Sequence, residues 1–219
     1  RRRCRGGAGV PRRAGRGVKV GGRRNSADTA GAVAAGADAL GFNFYPGRKR
    51  YLDHATAADW LREVPDSVRR VAVLVNPTLA EALTIAALPF IDGLQLHGTE
   101  TPEFCAALAA AGVRFGKAIP VGASRLLSDA TAFATRTLVL DAQNENGFGG
   151  TGSTFPWPIA RALVERERAL RFVLAGGLTP ENVAGAIAVV QPYGVDVPSG
   201  VALVPGRKDH GKLRAFLAA

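Results

Sequence analysis

The sequence predicts a single α/β domain, a (β/α)8 or TIM barrel, and three observations lead there. From Val18 onward, short β-branched or apolar runs alternate with Ala- and Leu-rich stretches of helical period. Eight such βα units fit into about 200 residues, the small end of what this barrel requires. No G-x-G-x-x-G follows the first strand, and an open doubly wound sheet rarely needs eight units of such even length.

The units follow one another at short intervals. Strand 18–21 (VKVG) leads to helix 27–36, strand 38–43 (DALGFN) to helix 55–63, and strand 70–75 (RVAVLV) to helix 79–87. Strand 92–96 (DGLQL) precedes helix 102–111, whose start is marked by Thr101-Pro102-Glu103, a capping residue followed by Pro and an acid in the first turn. Strand 114–119 (RFGKAI) precedes helix 124–132, and strand 136–141 (RTLVLD) precedes helix 157–168. Strand 171–175 (RFVLA) leads through Thr179-Pro180-Glu181 into helix 180–190, and strand 193–197 (YGVDV) leads to helix 209–218, opened by Asp209.

Composition removes several classes. A chain that is 47% hydrophobic, with 27 Gly, 13 Pro and no G-x-y period, is neither disordered nor collagen-like. No apolar run approaches the roughly 18 residues of a membrane span, so a soluble protein is expected. Two cysteines, Cys4 and Cys105, make no disulfide framework and suit a reducing, cytoplasmic compartment. The net charge of +10 suggests a nucleic-acid binder until it is located. Residues 1–24 hold ten basic side chains and no acid, and the other 195 balance 18 against 18. A basic globular face would argue for phosphate-backbone binding, but this charge belongs to one terminus. Residues 1–17 lack hydrophobic period and any apolar signal stretch, so they read as a disordered basic tail or mis-joined upstream sequence, with the barrel spanning 18–219. The chain holds no methionine, an initiator included, which leaves open whether Arg1 is the biological start.

Barrel active sites lie at the C-terminal ends of the strands. The polar residues there are Asn43, Asn76, His97, Asp141 and Asp196. The seventh and eighth strands run into Gly176-Gly177 and Ser199-Gly200, where small residues let backbone N–H groups approach a phosphate.

Lys19-Val20-Gly21-Gly22, Gly36 through Phe42, Tyr45-Pro46, Lys49-Arg50-Tyr51 and Gln95-Leu96-His97-Gly98 stand in one order. Leu140-Asp141, Gly149-Gly150-Thr151-Gly152, Ala175 through Leu178, Pro180 through Val183, and Gly194 through Val197 continue it. In that order and spacing, the chain from about Val18 to its end resembles the phosphoribosylanthranilate isomerase family of tryptophan biosynthesis. The resemblance implies an Amadori rearrangement of N-(5-phosphoribosyl)anthranilate to 1-(2-carboxyphenylamino)-1-deoxyribulose 5-phosphate, with no cofactor or metal. A general acid opens the furanose ring and a general base takes the proton from ribose C2. It places the acid on Asp141, whose carboxyl at a closed barrel mouth can be kept protonated by desolvation. It places Arg50 on the anthranilate carboxylate, for which a planar guanidinium is well suited. Asp196 corresponds to a carboxylate that meets sugar hydroxyls, and Gly176, Gly177, Ser199 and Gly200 to the phosphate grip. His97 receives a structural role, His54 and His210 read as surface residues at helix starts, and Cys105 as a small buried residue. The partner is then a small phosphosugar, with no nucleic acid or membrane, and the protein a monomer or homodimer.

The chain departs from the family at the first strand. The family's base is a cysteine in K-I/V-C-G-I/V-T, where this chain has Lys19-Val20-Gly21-Gly22-Arg23-Arg24. Gly21 cannot accept a proton. Pro198 and Ala202 also replace the usual Ser and Glu, and Pro198 removes one N–H donor near the phosphate. Three accounts stand: an isomerase using water or another base, a catalytically impaired barrel that still binds phosphosugars, or a first strand altered by a frame or assembly error. Indole-3-glycerol-phosphate synthase, a related barrel, would need a catalytic Lys–Glu set, for which Lys117 is the one well-placed lysine.

Overall fold

The protein's structure is a computed structural model that describes residues 17–22, 25–46, 49–121, 130–142 and 156–219. Eight parallel strands close into a barrel in simple chain order. They are β1 (Gly17–Gly21), β2 (Ala39–Asn43), β3 (Arg69–Leu74), β4 (Gly93–Leu96), β5 (Phe115–Val121), β6 (Thr137–Ala142), β7 (Arg171–Leu174) and β8 (Gly194–Val197). Closure pairs β1 with β8 in the register Val18 to Val195, Lys19 to Asp196 and Val20 to Val197. Each expected strand is found within one or two residues of its bounds, because fully buried parallel strands read as apolar runs.

Seven helices fall among the described residues: α1 (Ser26–Ala34), α2 (His54–Arg62), α3 (Leu79–Ala86), α4 (Pro102–Ala110), α5 (Trp157–Arg166), α6 (Val183–Val190) and α7 (His210–Ala218). Their starts are capped by side chains where the sequence supplies them. Thr101 accepts from the Phe104 N–H, Asp209 from Gly211 and Lys212, and Thr78 forms a reciprocal capping box with Glu81. None of these helices is long and apolar enough to cross a membrane.

Alternate strand residues face opposite sides of the wall. Leu40, Phe42, Leu138, Leu140 and Leu174 face outward and pack with Leu61, Leu108 and Phe216 in one continuous core between barrel and helices. Ala118, Val139 and Ala175, with Val173 against them, form a separate small cluster inside the barrel. This part of the interior is filled by small side chains.

Three details differ from expectation. The helix expected at 180–190 begins only at Val183, because Asn182 bridges the preceding turn: its Oδ1 accepts from Thr179 N–H and its Nδ2 donates to Gly177 O. A short hairpin of β9 (Ala202–Val204) and β10 (Arg207–Lys208) follows β8, turning at Gly206 with φ 88°. It is too short to show period 2 in the sequence. Of the helix expected at 124–132, residues 124–129 lie outside the described ones, and 130–132 form a turn.

Candidate active site

Strands β6, β7, β8 and β1 are consecutive around the barrel, and their C-terminal ends carry most of the chemistry. Lys19 and Asp196 are register partners across the β1–β8 seam, so both side chains point inward side by side. Lys19 Nζ donates to Asp196 Oδ2 at 2.5 Å, and both side chains are almost buried. That leaves the other carboxylate oxygen. Among the described residues two buried side-chain polar atoms lack a hydrogen-bond partner, Asp196 Oδ1 and Arg50 Nε. A buried unpartnered polar group costs about 1–3 kcal/mol, so two at one place mark a site that a polar ligand completes.

Both lie against the glycines that end β1. A Cβ at Gly21 would sit 3.4 Å from Asp196 Oδ1 and 3.4 Å from Pro198 Cβ. At Gly22, with φ +73°, a Cβ would come within 2.5 Å of Arg50 Cδ. A glycine at 22 thus allows the backbone turn and lets the Arg50 side chain lie across it. Burial lowers the proton affinity of the Arg50 guanidinium, and the nearby Asp196 charge offsets part of that loss. Arg50 itself is positioned by the chain after β2, where Tyr51 bridges to Asn43 and Leu52 N–H donates to Asn43 O.

Asp141, near the end of β6, is buried. Its Oδ2 lies 3.1 Å from His97 Nε2, and Gln95 Nε2 lies 3.0 Å from His97 Nδ1. With the Gln95 amide donating to Nδ1, the proton of a neutral His97 sits on Nε2 and points at Asp141. His97 therefore holds the carboxyl in place, a contact that the sequence reading missed. His97 directly follows β4, two residues after Gln95, and that spacing is the one sequence signal that could have revealed it.

The loops after β7 and β8 lock together. A Cβ at Gly200 would stand 1.8 Å from Leu178 O, so the two segments approach as closely as backbone allows. No hydrogen bond among the described residues uses the N–H groups of Gly177, Ser199 or Gly200. The first loop also borders Asp141, whose Oδ1 would be 2.9 Å from a Cβ at Gly176. Together these place N–H groups without a partner among the described residues close to a carboxyl.

Other polar residues at strand ends serve the loops. Asn43 accepts from Tyr45 N–H, and Asn76, at φ 47°, accepts from Thr99. Lys117 pairs in register with the outward-facing Leu138, and its ammonium is taken by Glu100, Gly98 O and Ala118 O. It points away from the barrel interior, against the indole-3-glycerol-phosphate synthase reading. Cys105 is fully buried in the outer layer, where burial pushes its thiol up, so it supplies no base. His54 opens α2 edge-on to Phe44, and His210 opens α7 with Nε2 3.1 Å from Asp28 Oδ1. Arg23, Arg24, residues 1–16 and Gly149-Gly150-Thr151-Gly152 lie outside the described residues.

Comparison with known proteins agrees with this fold. The N-(5'-phosphoribosyl)anthranilate isomerase family profile matches residues 18–219. The chain is 41% identical over 202 residues to the isomerase of Magnetococcus marinus, covering 92% of this chain and 93% of that one. It is 40% identical over 200 residues to the isomerase of Thermotoga maritima, covering 91% and 96%. A crystal structure of the Thermotoga maritima enzyme superposes with a TM-score of 0.83 at 38% identity, over 92% of this chain and 97% of that one. A phosphoribosylanthranilate isomerase crystallised with reduced 1-(o-carboxyphenylamino)-1-deoxyribulose 5-phosphate gives a TM-score of 0.79 at 36% identity, over 92% and 96%. The chain belongs to the N-(5'-phosphoribosyl)anthranilate isomerase family.

Proposed function

We propose that this chain is an isomerase that converts N-(5-phosphoribosyl)anthranilate to 1-(2-carboxyphenylamino)-1-deoxyribulose 5-phosphate, a cytoplasmic step of tryptophan biosynthesis. The observation that carries the reading is the meeting of two orphaned buried polar atoms, Arg50 Nε and Asp196 Oδ1, over Gly21 and Gly22. A ligand with a carboxylate at one end and hydroxyls beside it satisfies both. The free N–H groups of Gly177, Ser199 and Gly200 take the phosphate, and Asp141 lies next to that cradle.

In this arrangement Arg50 holds the anthranilate carboxylate, and Asp141 delivers a proton to the furanose ring oxygen as the C1–O bond opens. His97 keeps Asp141 aimed, and Asp196 faces the ribose with its charge fixed by Lys19. The comparisons give no support to a barrel that binds without turning over.

The test is steady-state loss of anthranilate fluorescence, with substrate generated in situ, alongside calorimetry with the reduced product analogue. Arg50→Ala should weaken analogue binding by about tenfold or more, the worth of one charge-assisted hydrogen bond, while inhibition by inorganic phosphate stays near its original level. Equal loss of both would refute the assignment of the two ends.

A further inference from the structure

The isomerisation needs a base at ribose C2, and position 21, where the resemblance to the family implies a cysteine, holds a glycine in this chain. We infer that Asp196 is the base here, acting through Oδ1. The inference rests on the isomerase reading and adds to it the identity of the residue that moves the C2 proton.

Four observations on the molecule lead to it. Asp196 Oδ1 lies 3.4 Å from the place of a Cβ at residue 21, so its lone pairs occupy the region that a side chain there would enter. It is buried and has no hydrogen-bond partner, hence is free to accept. The other oxygen, Oδ2, is held by Lys19 Nζ, which fixes the direction of the carboxylate. Among the described residues, the other ionisable groups near the strand ends are otherwise engaged. Lys19 and Arg50 are cations, Asp141 is bound to His97 on β6, and Cys105 is sealed in the outer layer. Gly21 contributes by omission, since with no side chain there the substrate carbon can approach the carboxylate.

The proton balance closes. After Asp141 has protonated the ring oxygen, the opened substrate carries a protonated C1=N bond. The C2–H bond breaks, its electron pair becomes the C1=C2 bond, and the C1=N π pair moves onto nitrogen. The C2 proton goes to Asp196 Oδ1. The resulting carboxylic acid then protonates C1 while the 2-hydroxyl becomes the ketone, and that hydroxyl proton returns through solvent to the Asp141 carboxylate. Both acids end in their starting forms.

The experiment compares the original protein with Asp196→Asn, Gly21→Cys and the double variant, measuring kcat, KM and product-analogue affinity in the full chain. The inference expects Asp196→Asn to lower kcat by about 10²–10⁴-fold with analogue affinity kept within about tenfold. It expects Gly21→Cys added to Asp196→Asn to raise kcat at least tenfold, since a thiol then enters the space beside position 196. A raised KM with unchanged kcat would overturn it, as would a kcat loss matched by lost analogue binding, or no recovery in the double variant. Should Asp196→Asn fail to fold, Asp196→Glu carries the test. That variant keeps the charge against Lys19 but displaces the oxygen, and unchanged kcat would overturn the inference. Activity in Gly21→Cys with none in the original protein would overturn this inference and leave the isomerase reading standing. Inactivity of both would overturn the isomerase reading itself.

Discussion

Gly200→Ala separates the phosphate cradle from the rest of the barrel. The added Cβ would stand 1.8 Å from Leu178 O, 2.8 Å from Leu178 C and 3.1 Å from Thr179 Cα, all of them backbone atoms. No side chain can rotate away, so one loop has to move by more than an ångström relative to the other. Overpacking of this kind costs about 1–3 kcal/mol, which for a chain of this size lowers Tm by about 2–12 °C. The functional loss should be larger. An ångström of misplacement in a binding constellation costs on the order of 10²-fold, and the N–H groups of Gly177 and Gly200 sit on opposite sides of the forced contact. Calorimetry with the reduced product analogue should show that loss, whereas the analogue lacking its phosphate should bind the variant and the original protein alike. Gly185→Ala is the control, because its Cβ would meet Trp157 at an ordinary 3.6 Å within α6. There the same exchange should raise Tm by about 1–4 °C, the gain from a helical Ala. If Gly200→Ala binds the phosphorylated analogue as well as the original protein does, the two loops do not hold the phosphate.

Asp141→Asn keeps size and hydrogen bonding but has no acidic proton, so kcat should fall about 10²–10⁴-fold; unchanged kcat would show that ring opening does not depend on it. His97→Ala removes one hydrogen bond to a carboxyl and should lower kcat about tenfold or more with KM little changed, while His97→Gln should restore part of the loss; a pure KM effect would place His97 on the substrate instead. Burial pushes the Asp92 carboxyl up, but hydrogen bonds from the Arg70 backbone and guanidinium outweigh it and hold the group below its usual range. Its folded pKa is thus depressed, so the stabilisation is full above about pH 4 and is lost as pH falls through the folded value. Melting curves against pH should show a shallower acid decline in Asp92→Asn than in the original protein, and parallel declines would contradict the assignment.

The fold was legible because the barrel's wall is made of apolar runs such as Val71-Ala72-Val73-Leu74 and Leu138-Val139-Leu140, the second of them buried on both faces. The strand-end placement of Asp141, Asp196 and the two glycine loops was legible because a polar or small residue after an apolar run stands out. What remained hidden depends on contacts between distant segments. The Lys19–Asp196 pair joins residues 177 apart and exists only because closure sets that register. The His97–Asp141 contact spans β4 and β6, and no local pattern fixes which way the imidazole turns. The hairpin after β8 and the late start of α6 turn on single side chains and tight turns, below the length at which periodicity carries information.

One residue outside the proposed chemistry sets its geometry. Gly41 is the register partner of Gly21, and a Cβ there would meet Lys19 Cε at 3.0 Å and Gly21 Cα at 3.3 Å. The glycine on β2 therefore leaves room beside it for the Lys19 side chain that bonds Asp196. Gly21 and Gly41 together thin the wall at this point of the barrel, at a strand cost of about 0.5–1 kcal/mol each relative to Ala. In exchange the lysine neutralises a buried carboxylate that would otherwise be very costly to keep ionised. Asp196 keeps one oxygen without a partner while the other is bonded to Lys19. The free oxygen, the glycine gap beside it and the lysine behind it thus form one arrangement, and altering any of the three changes what the other two can do.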